Sequence, residues 1–251
     1  MDGIPLASRF SLATNRLEFC GPADAEPALY ASIVTGTGTP SARQALLKFE
    51  ALQPYLELIG EKHGLDPLDF SVVEAYWIGN ELLEAFERPD FLRLIEKLRR
   101  RGLPKSIAGR LAEHLPEDPF PHHAFHVSYV GVGAVTGHVE TTIANMDLCR
   151  PSWADVGRIE GDSLELRAGT LRWEGGRLAL GEPEPRSVHF DDRVLPHVRK
   201  GSRLAMHWRW PALELTERQA RSLQYYSARA WKAASPSLAV LYPAVGGSAP
   251  H

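Results

Sequence analysis

Two short segments of this chain carry residues able to hold a metal. Cys149 opens the run Cys-Arg-Pro-Ser-Trp-Ala-Asp-Val (149–156), and His207 stands in Met206-His207-Trp208. A thiolate is a soft, strongly donating ligand for iron or zinc, and a neutral imidazole suits both metals. A second group lies upstream: His122, His123 and His126 fall within five consecutive residues, and His138 follows a glycine-containing turn. Three imidazoles meeting at one metal leave an open coordination position, and Glu140 offers a fourth ligand or an outer acceptor. Read as a strand, this stretch puts His122 and His126 on one face and His123 on the other. Tyr76, Trp77 and Asn80, with Glu74, crowd two turns of a helix, where polar groups among apolar neighbours need partners or a ligand. Cys20, in a Cys-Gly-Pro turn, offers a second soft donor.

The elements that must position these groups follow from periodicity. Residues 1–40, rich in Gly, Pro, Ala and Thr, read as an irregular lead segment. Its Thr35-Gly-Thr-Gly-Thr-Pro40 run lacks the Gly-Lys-Ser/Thr of a phosphate loop. From Ser41 the apolar spacing becomes helical. One helix runs through Ile59 to Gly60 or Gly64. A second opens at Asp69 or Ser71 and continues to Phe86, a third starts at Pro89, and a fourth lies between Pro104 and Leu115. Phe125–Val132 has strand composition, and Glu140–Leu148 reads as a short helix that gives Cys149 only its C-terminal end. Then come β-prone runs: 154–159, 163–173, 177–180, 186–190 and 203–208, separated by glycine turns. Five short strands so spaced suit a small OB-like β-barrel. Thr216 caps a final helix to Ala233. The expected fold is α+β: a mainly helical domain over 1–145, a small barrel with its C-terminal helix over 146–235, and a tail over 236–251.

Composition excludes several classes. Of the 251 residues 44% are hydrophobic and 24% charged, enough for a core and against wholesale disorder. A net charge of −3 supplies no attraction for nucleic acid. The basic run Lys97–Arg101 ends an amphipathic helix, where cations suit the dipole. No apolar stretch is long enough for a membrane span, and the first residues do not read as a secretory signal. Two cysteines make no disulfide framework, so a cytoplasmic chain with reduced thiols is expected.

Cys149-Arg-Pro-Ser-Trp-Ala-Asp-Val resembles the opening of the HypC-type hydrogenase-maturation chaperones, in which a cysteine precedes the first strand. Lys200-Gly-Ser-Arg-Leu-Ala-Met-His-Trp is similar to their Gly-Asp-x-Val-x-Val-His strand, and Leu215-Thr-Glu-Arg-Gln-Ala to the start of their last helix. The resemblance spans the last two-fifths of the chain. It implies a small barrel that carries iron or an iron–cyanide/carbonyl precursor of the [NiFe] centre, with Cys149 as ligand and His207 beside it. Two departures stand out: Cys149 is internal rather than N-terminal, and Ala154 replaces the usual glycine. The whole chain also resembles bacterial proteins associated with hydrogenase gene clusters, through Val73–Asn80, His122–Val127 and Met146–Arg150.

Three readings result. The first is a hydrogenase-maturation accessory protein that holds, delivers or modifies an iron fragment, with the hydrogenase large subunit or another maturation factor as partner. The second is an iron- or zinc-dependent enzyme acting on a small molecule, with zinc the weaker choice of metal. The third is a metal-free interaction module.

Overall fold

In the computed structural model, which describes residues 1–246, the first forty residues are largely helical. Their prolines stand where a helix tolerates them. Pro5 is in the first turn of α1 (Ile4–Arg16), Pro27 in that of α2 (Glu26–Thr35), and Pro40 begins α3 (Pro40–Leu46) behind a Thr39 cap. A first-turn proline lacks only an N–H that would have had no helical partner anyway. The irregular lead segment expected for 1–40 is therefore corrected. Helix α1 is buried along most of its length through Leu6, Phe10 and Leu12.

The apolar periodicity beyond Ser41 resolves into α3 and α4 (Leu52–His63), which ends at Gly64 in the left-handed region. Asp69 caps α5 (Phe70–Trp77) by accepting from the Ser71 N–H. That helix stops well short of Phe86. Gly79 takes φ 95°, and Asn80 caps a separate 3₁₀ turn over Glu81–Ala85. Helices α6 (Arg88–Arg100) and α7 (Lys105–Glu113) lie where the sequence puts them. The basic end of α6 is neutralised in place: Lys97 pairs with Glu57 and Glu61, and Arg99 and Arg100 pair with Glu96.

The segment expected as a strand is helical. His122 accepts the Ala124 N–H on Nδ1 and starts α8 (His123–Phe125), which continues as a π-helical turn over His126–Gly131. All of these residues are buried. A helix satisfies its backbone bonds internally, so it can be enclosed by core without strand partners. Here that outweighs the β-prone composition. Helix α9 (Ile143–Cys149) starts at a Thr142 cap, three residues later than expected.

Seven strands follow: β1 (Ser152–Glu160), β2 (Ser163–Ala168), β3 (Leu171–Glu174), β4 (Arg177–Leu180), β5 (Glu184–His189), β6 (Arg203–His207) and β7 (Trp210–Glu214). Five form an antiparallel sheet in the order β5-β2-β1-β6-β7, and β3-β4 is a separate hairpin. The run 163–173 thus splits at Gly169-Thr170, and its second half leaves the sheet with β4 to pack on α9 and on α10 (Glu217–Leu241). Strands β5 and β7 approach each other, but no ladder joins them. The sheet is open, which corrects the expected closed barrel. Thr216 caps α10 with a reciprocal bond from Gln219, as the sequence indicates. The helix continues past Ala233 through Pro236, held by burial of Leu238 and Leu241, and α11 (Pro243–Gly246) follows. The segment 236–251 therefore begins as helix, and 247–251 lie outside the described residues.

One hydrophobic cluster contains α1, α4, α5 and α6 residues together with Ala154, Val156, Leu204 and Met206 of the sheet and Leu223 and Ala230 of α10. The helices and the sheet thus share a core, and α1 touches both β6 and β7. Among the described residues no helix is long and apolar enough to cross a membrane.

Candidate metal centre

Where α8, α9 and β6 converge, His123, Cys149 and His207 bring their donor atoms within 4.8 Å of one another, all three side chains being buried. Cys149 Sγ is 3.7 Å from His123 Nε2 and 3.9 Å from His207 Nε2. A tetrahedral centre with metal–sulfur about 2.3 Å and metal–nitrogen about 2.1 Å needs roughly 3.6 Å between such atoms. The two sulfur–nitrogen separations exceed that by about 0.1 and 0.3 Å.

Hydrogen bonds decide which nitrogen each ring presents. His207 Nδ1 is 2.7 Å from the Phe10 carbonyl, which only accepts, so Nδ1 carries the proton and Nε2 turns its lone pair toward Cys149. An outer N–H held by a carbonyl is the usual arrangement behind a ligating imidazole. His123 is held at both ends: Tyr76 Oη lies 2.7 Å from Nδ1 and the Cys149 carbonyl 3.0 Å from Nε2. In this arrangement Nε2–H donates to the carbonyl and the tyrosine donates to Nδ1. For His123 to offer Nε2 to a metal, its proton must move to Nδ1, where Tyr76 Oη can accept it. Trp77 packs on both imidazoles, with ring centroids 4.3 Å from His123 and 5.1 Å from His207.

Burial sets the protonation states. Desolvation pushes the Cys149 thiol well above its ordinary range and lowers His207 to about 4. His123 is held well below its ordinary value by burial and by the neighbouring His207 and His126. Thiol and imidazoles are all neutral at pH 7. A cation entering would be bound by neutral nitrogens and would displace the sulfur proton.

A cavity of about 50 Å³ adjoins the cluster, lined by Ser11, Cys20, Tyr76, His126, the three candidate ligands and mainly apolar side chains. One water needs about 10–15 Å³, so the space admits a molecule of only a few atoms.

Other candidate residues are placed differently. His126 reaches the same cavity, with Nδ1 2.9 Å from Tyr55 Oη, but stands outside the close group of donors. His122 serves as the α8 cap beside Phe120 and Tyr226. The helical turn, not a strand, is what separates it from the site: His123 and His126, three apart, share the cavity side. His138 and Glu140 lie exposed in the loop before α9 and join no donor group. Glu74 and Asn80 do not face the cluster. Glu74 accepts from Asn80, Arg218 and Gln219 and ties α5 to the start of α10. Of that helix, Tyr76 and Trp77 alone line the cavity. Cys20 is half-buried at the cavity wall, and desolvation with the Glu50 charge pushes its thiol up to about 12. Three contributors escape sequence reading: the Phe10 carbonyl, Ser11 and Trp208. A backbone acceptor leaves no mark in a residue string. Trp208 is flagged only by its place next to His207.

Fold and site together define an α+β protein with a buried cysteine–histidine cluster where its helices meet an open antiparallel sheet. The chain belongs to the family described as "Family of unknown function (DUF6390)", which it matches over residues 1–240. No curated protein and no solved structure matches it.

Proposed function

We propose that this protein binds a single transition-metal ion, iron before zinc, through Cys149, His207 and His123, and acts as an accessory factor in [NiFe]-hydrogenase maturation. The observation that carries metal binding is the cluster itself: one thiol within 3.9 Å of two neutral imidazole nitrogens at the edge of a small cavity. Three protein donors leave a coordination position for something else, as carriers and catalytic centres require and closed structural sites do not. Iron and hydrogenase maturation come from the resemblance of 149–156 and 200–208 to the HypC-type chaperones. The proximity of Cys149 and His207, the pair that resemblance joins, supports it. On this reading the strand region is an open relative of the small chaperone barrel. The cargo is iron or an iron–cyanide/carbonyl fragment, the partner is a hydrogenase large subunit or another maturation factor, and a reducing cytoplasm keeps both thiols free.

A second reading, a metal-dependent enzyme acting on a small molecule, draws on the same open position and on the cavity beside it. Anaerobic purification from cells given iron, followed by metal analysis and infrared spectroscopy, separates the two. About one iron per chain with cyanide and carbonyl stretching bands, both lost in Cys149→Ala, is the expected result. Metal without those bands favours the enzyme. A chain without metal, or a Cys149→Ala variant that keeps it, removes the metal-centre reading and leaves an interaction module.

A further inference from the structure

The cavity beside Cys149 gathers hydrogen-bond donors that no protein atom satisfies. Ser11 Oγ, Trp77 Nε1 and Trp208 Nε1 are buried without a partner, and all three residues line this space. They come from α1, α5 and the turn between β6 and β7, so no single helix or loop accounts for the coincidence. Ser11 and Trp77 are only 1% and 3% exposed.

The Trp208 backbone points the same way. Trp208 and Arg209 form a two-residue hairpin turn with φ 51° and 61°. Such turns favour Asn-Gly because both residues must be left-handed, and a tryptophan there is strained. The strain places the indole over the cavity, its ring tilted at 57° to Phe19 with centroids 4.7 Å apart.

An indole N–H donates and never accepts, so whatever satisfies these groups must be an acceptor. Hydrogen bonds to a charged acceptor are the stronger kind, and a metal cation held by Cys149 and the histidines would favour an anion beside it. About 50 Å³ limits that anion to a few atoms. We propose that the open position of the metal centre takes a small anion of two or three heavy atoms, which accepts hydrogen bonds from Ser11, Trp77 and Trp208. This inference rests on the metal-centre reading above.

The test uses the full chain loaded with Co²⁺, whose ligand-field bands report its coordination, titrated with azide. A saturable spectral change is expected. Ser11→Ala should weaken azide about tenfold, the size of one lost hydrogen bond to a charged group, while Co²⁺ affinity stays within about twofold. Trp77→Phe, which keeps the ring stacked on Phe10, should weaken azide by more than it weakens cobalt. If azide leaves the cobalt spectrum unchanged, or binds both variants as tightly as the parent, the inference falls and the metal centre stands. Failure of the folded parent to take up Co²⁺ overturns both.

Discussion

Burial penalises the anion of a thiol enclosed with neutral imidazoles, so Cys149 stays protonated at neutral pH. His207, lowered to about 4, is already neutral at pH 7 and has no proton to lose. Metal uptake near neutrality should therefore release about one proton per ion, and affinity should climb about tenfold for each unit of pH. Calorimetry in two buffers of different ionisation enthalpy counts that proton. A count of zero would argue against thiolate ligation. Tyr76 makes a second expectation at this scale. It is the only partner of His123 Nδ1 among the described residues, and the acceptor behind a ligating imidazole is typically worth 10–100-fold in affinity. Tyr76→Phe should lose metal affinity in that range, whereas Tyr55→Phe, which touches His126 instead, should leave it near the parent value.

Helix α9 is short, and its hold on Cys149 comes from the ion pair at its end. Asp147 accepts from Arg150 at 2.8 Å and from the Leu171 N–H at 2.8 Å, while Arg150 reaches the Gly169 carbonyl. Both side chains are buried, at 8% and 2% exposure. Removing one partner of such a pair strands the other charge, at about 3–5 kcal/mol. Asp147→Ala should lower stability by that amount in urea unfolding, and a loss below about 1 kcal/mol would mean that the pair does not anchor α9 to β3. The junction of α5 and α10 is just as exacting. A Cβ on Gly79 would sit 2.0 Å from the Tyr226 ring, and its φ of 95° already disfavours any other residue. Gly79→Ala should cost at least 2 kcal/mol, since clash and backbone strain act together.

At the scale of the whole fold, four imidazoles among the described residues are buried neutral. His122 is lowered to about 3, His126 and His207 to about 4, and His123 well below its ordinary value, all chiefly by desolvation. Each binds a proton more readily unfolded than folded. The stability they contribute is complete above about 6.5 and is lost as pH falls toward the folded values, at about 1.4 kcal/mol per pH unit for each histidine. Metal-free protein should therefore show a urea midpoint that drops steeply from pH 6.5 to 4. A flat profile would contradict buried neutral histidines. On the proposed reading, bound metal would oppose this loss. The candidate centre joins α8, α9 and β6, with α1 behind it through the Phe10 carbonyl, so an ion held there would bind only the assembled fold. Saturation at a hundred times Kd should add about 2.7 kcal/mol to stability, visible as a raised Tm that a chelator reverses.

The α+β class, the helices at α4, α6 and α7, the Thr216 cap, and the donor chemistry of Cys149 and His207 were all legible in the residue string. Each rests on a local rule: apolar spacing, a cap, or the donor chemistry of one side chain. What lay beyond it depended on burial. Pro5, Pro27 and Pro40 read as breaks until their first-turn positions were visible. The β-prone 125–132 segment became helix because core encloses it on every side. The sheet stayed open because β3 and β4 left it for α9 and α10. Among the histidines, spacing grouped His122 with His126, whereas the helical turn selected His123 and brought it to a cysteine twenty-six residues away. Side-chain chemistry belongs to the residue and is written in the sequence. Which donors meet, which protons they keep and how much space remains beside them belong to packing between distant segments, and only the tertiary structure decides them.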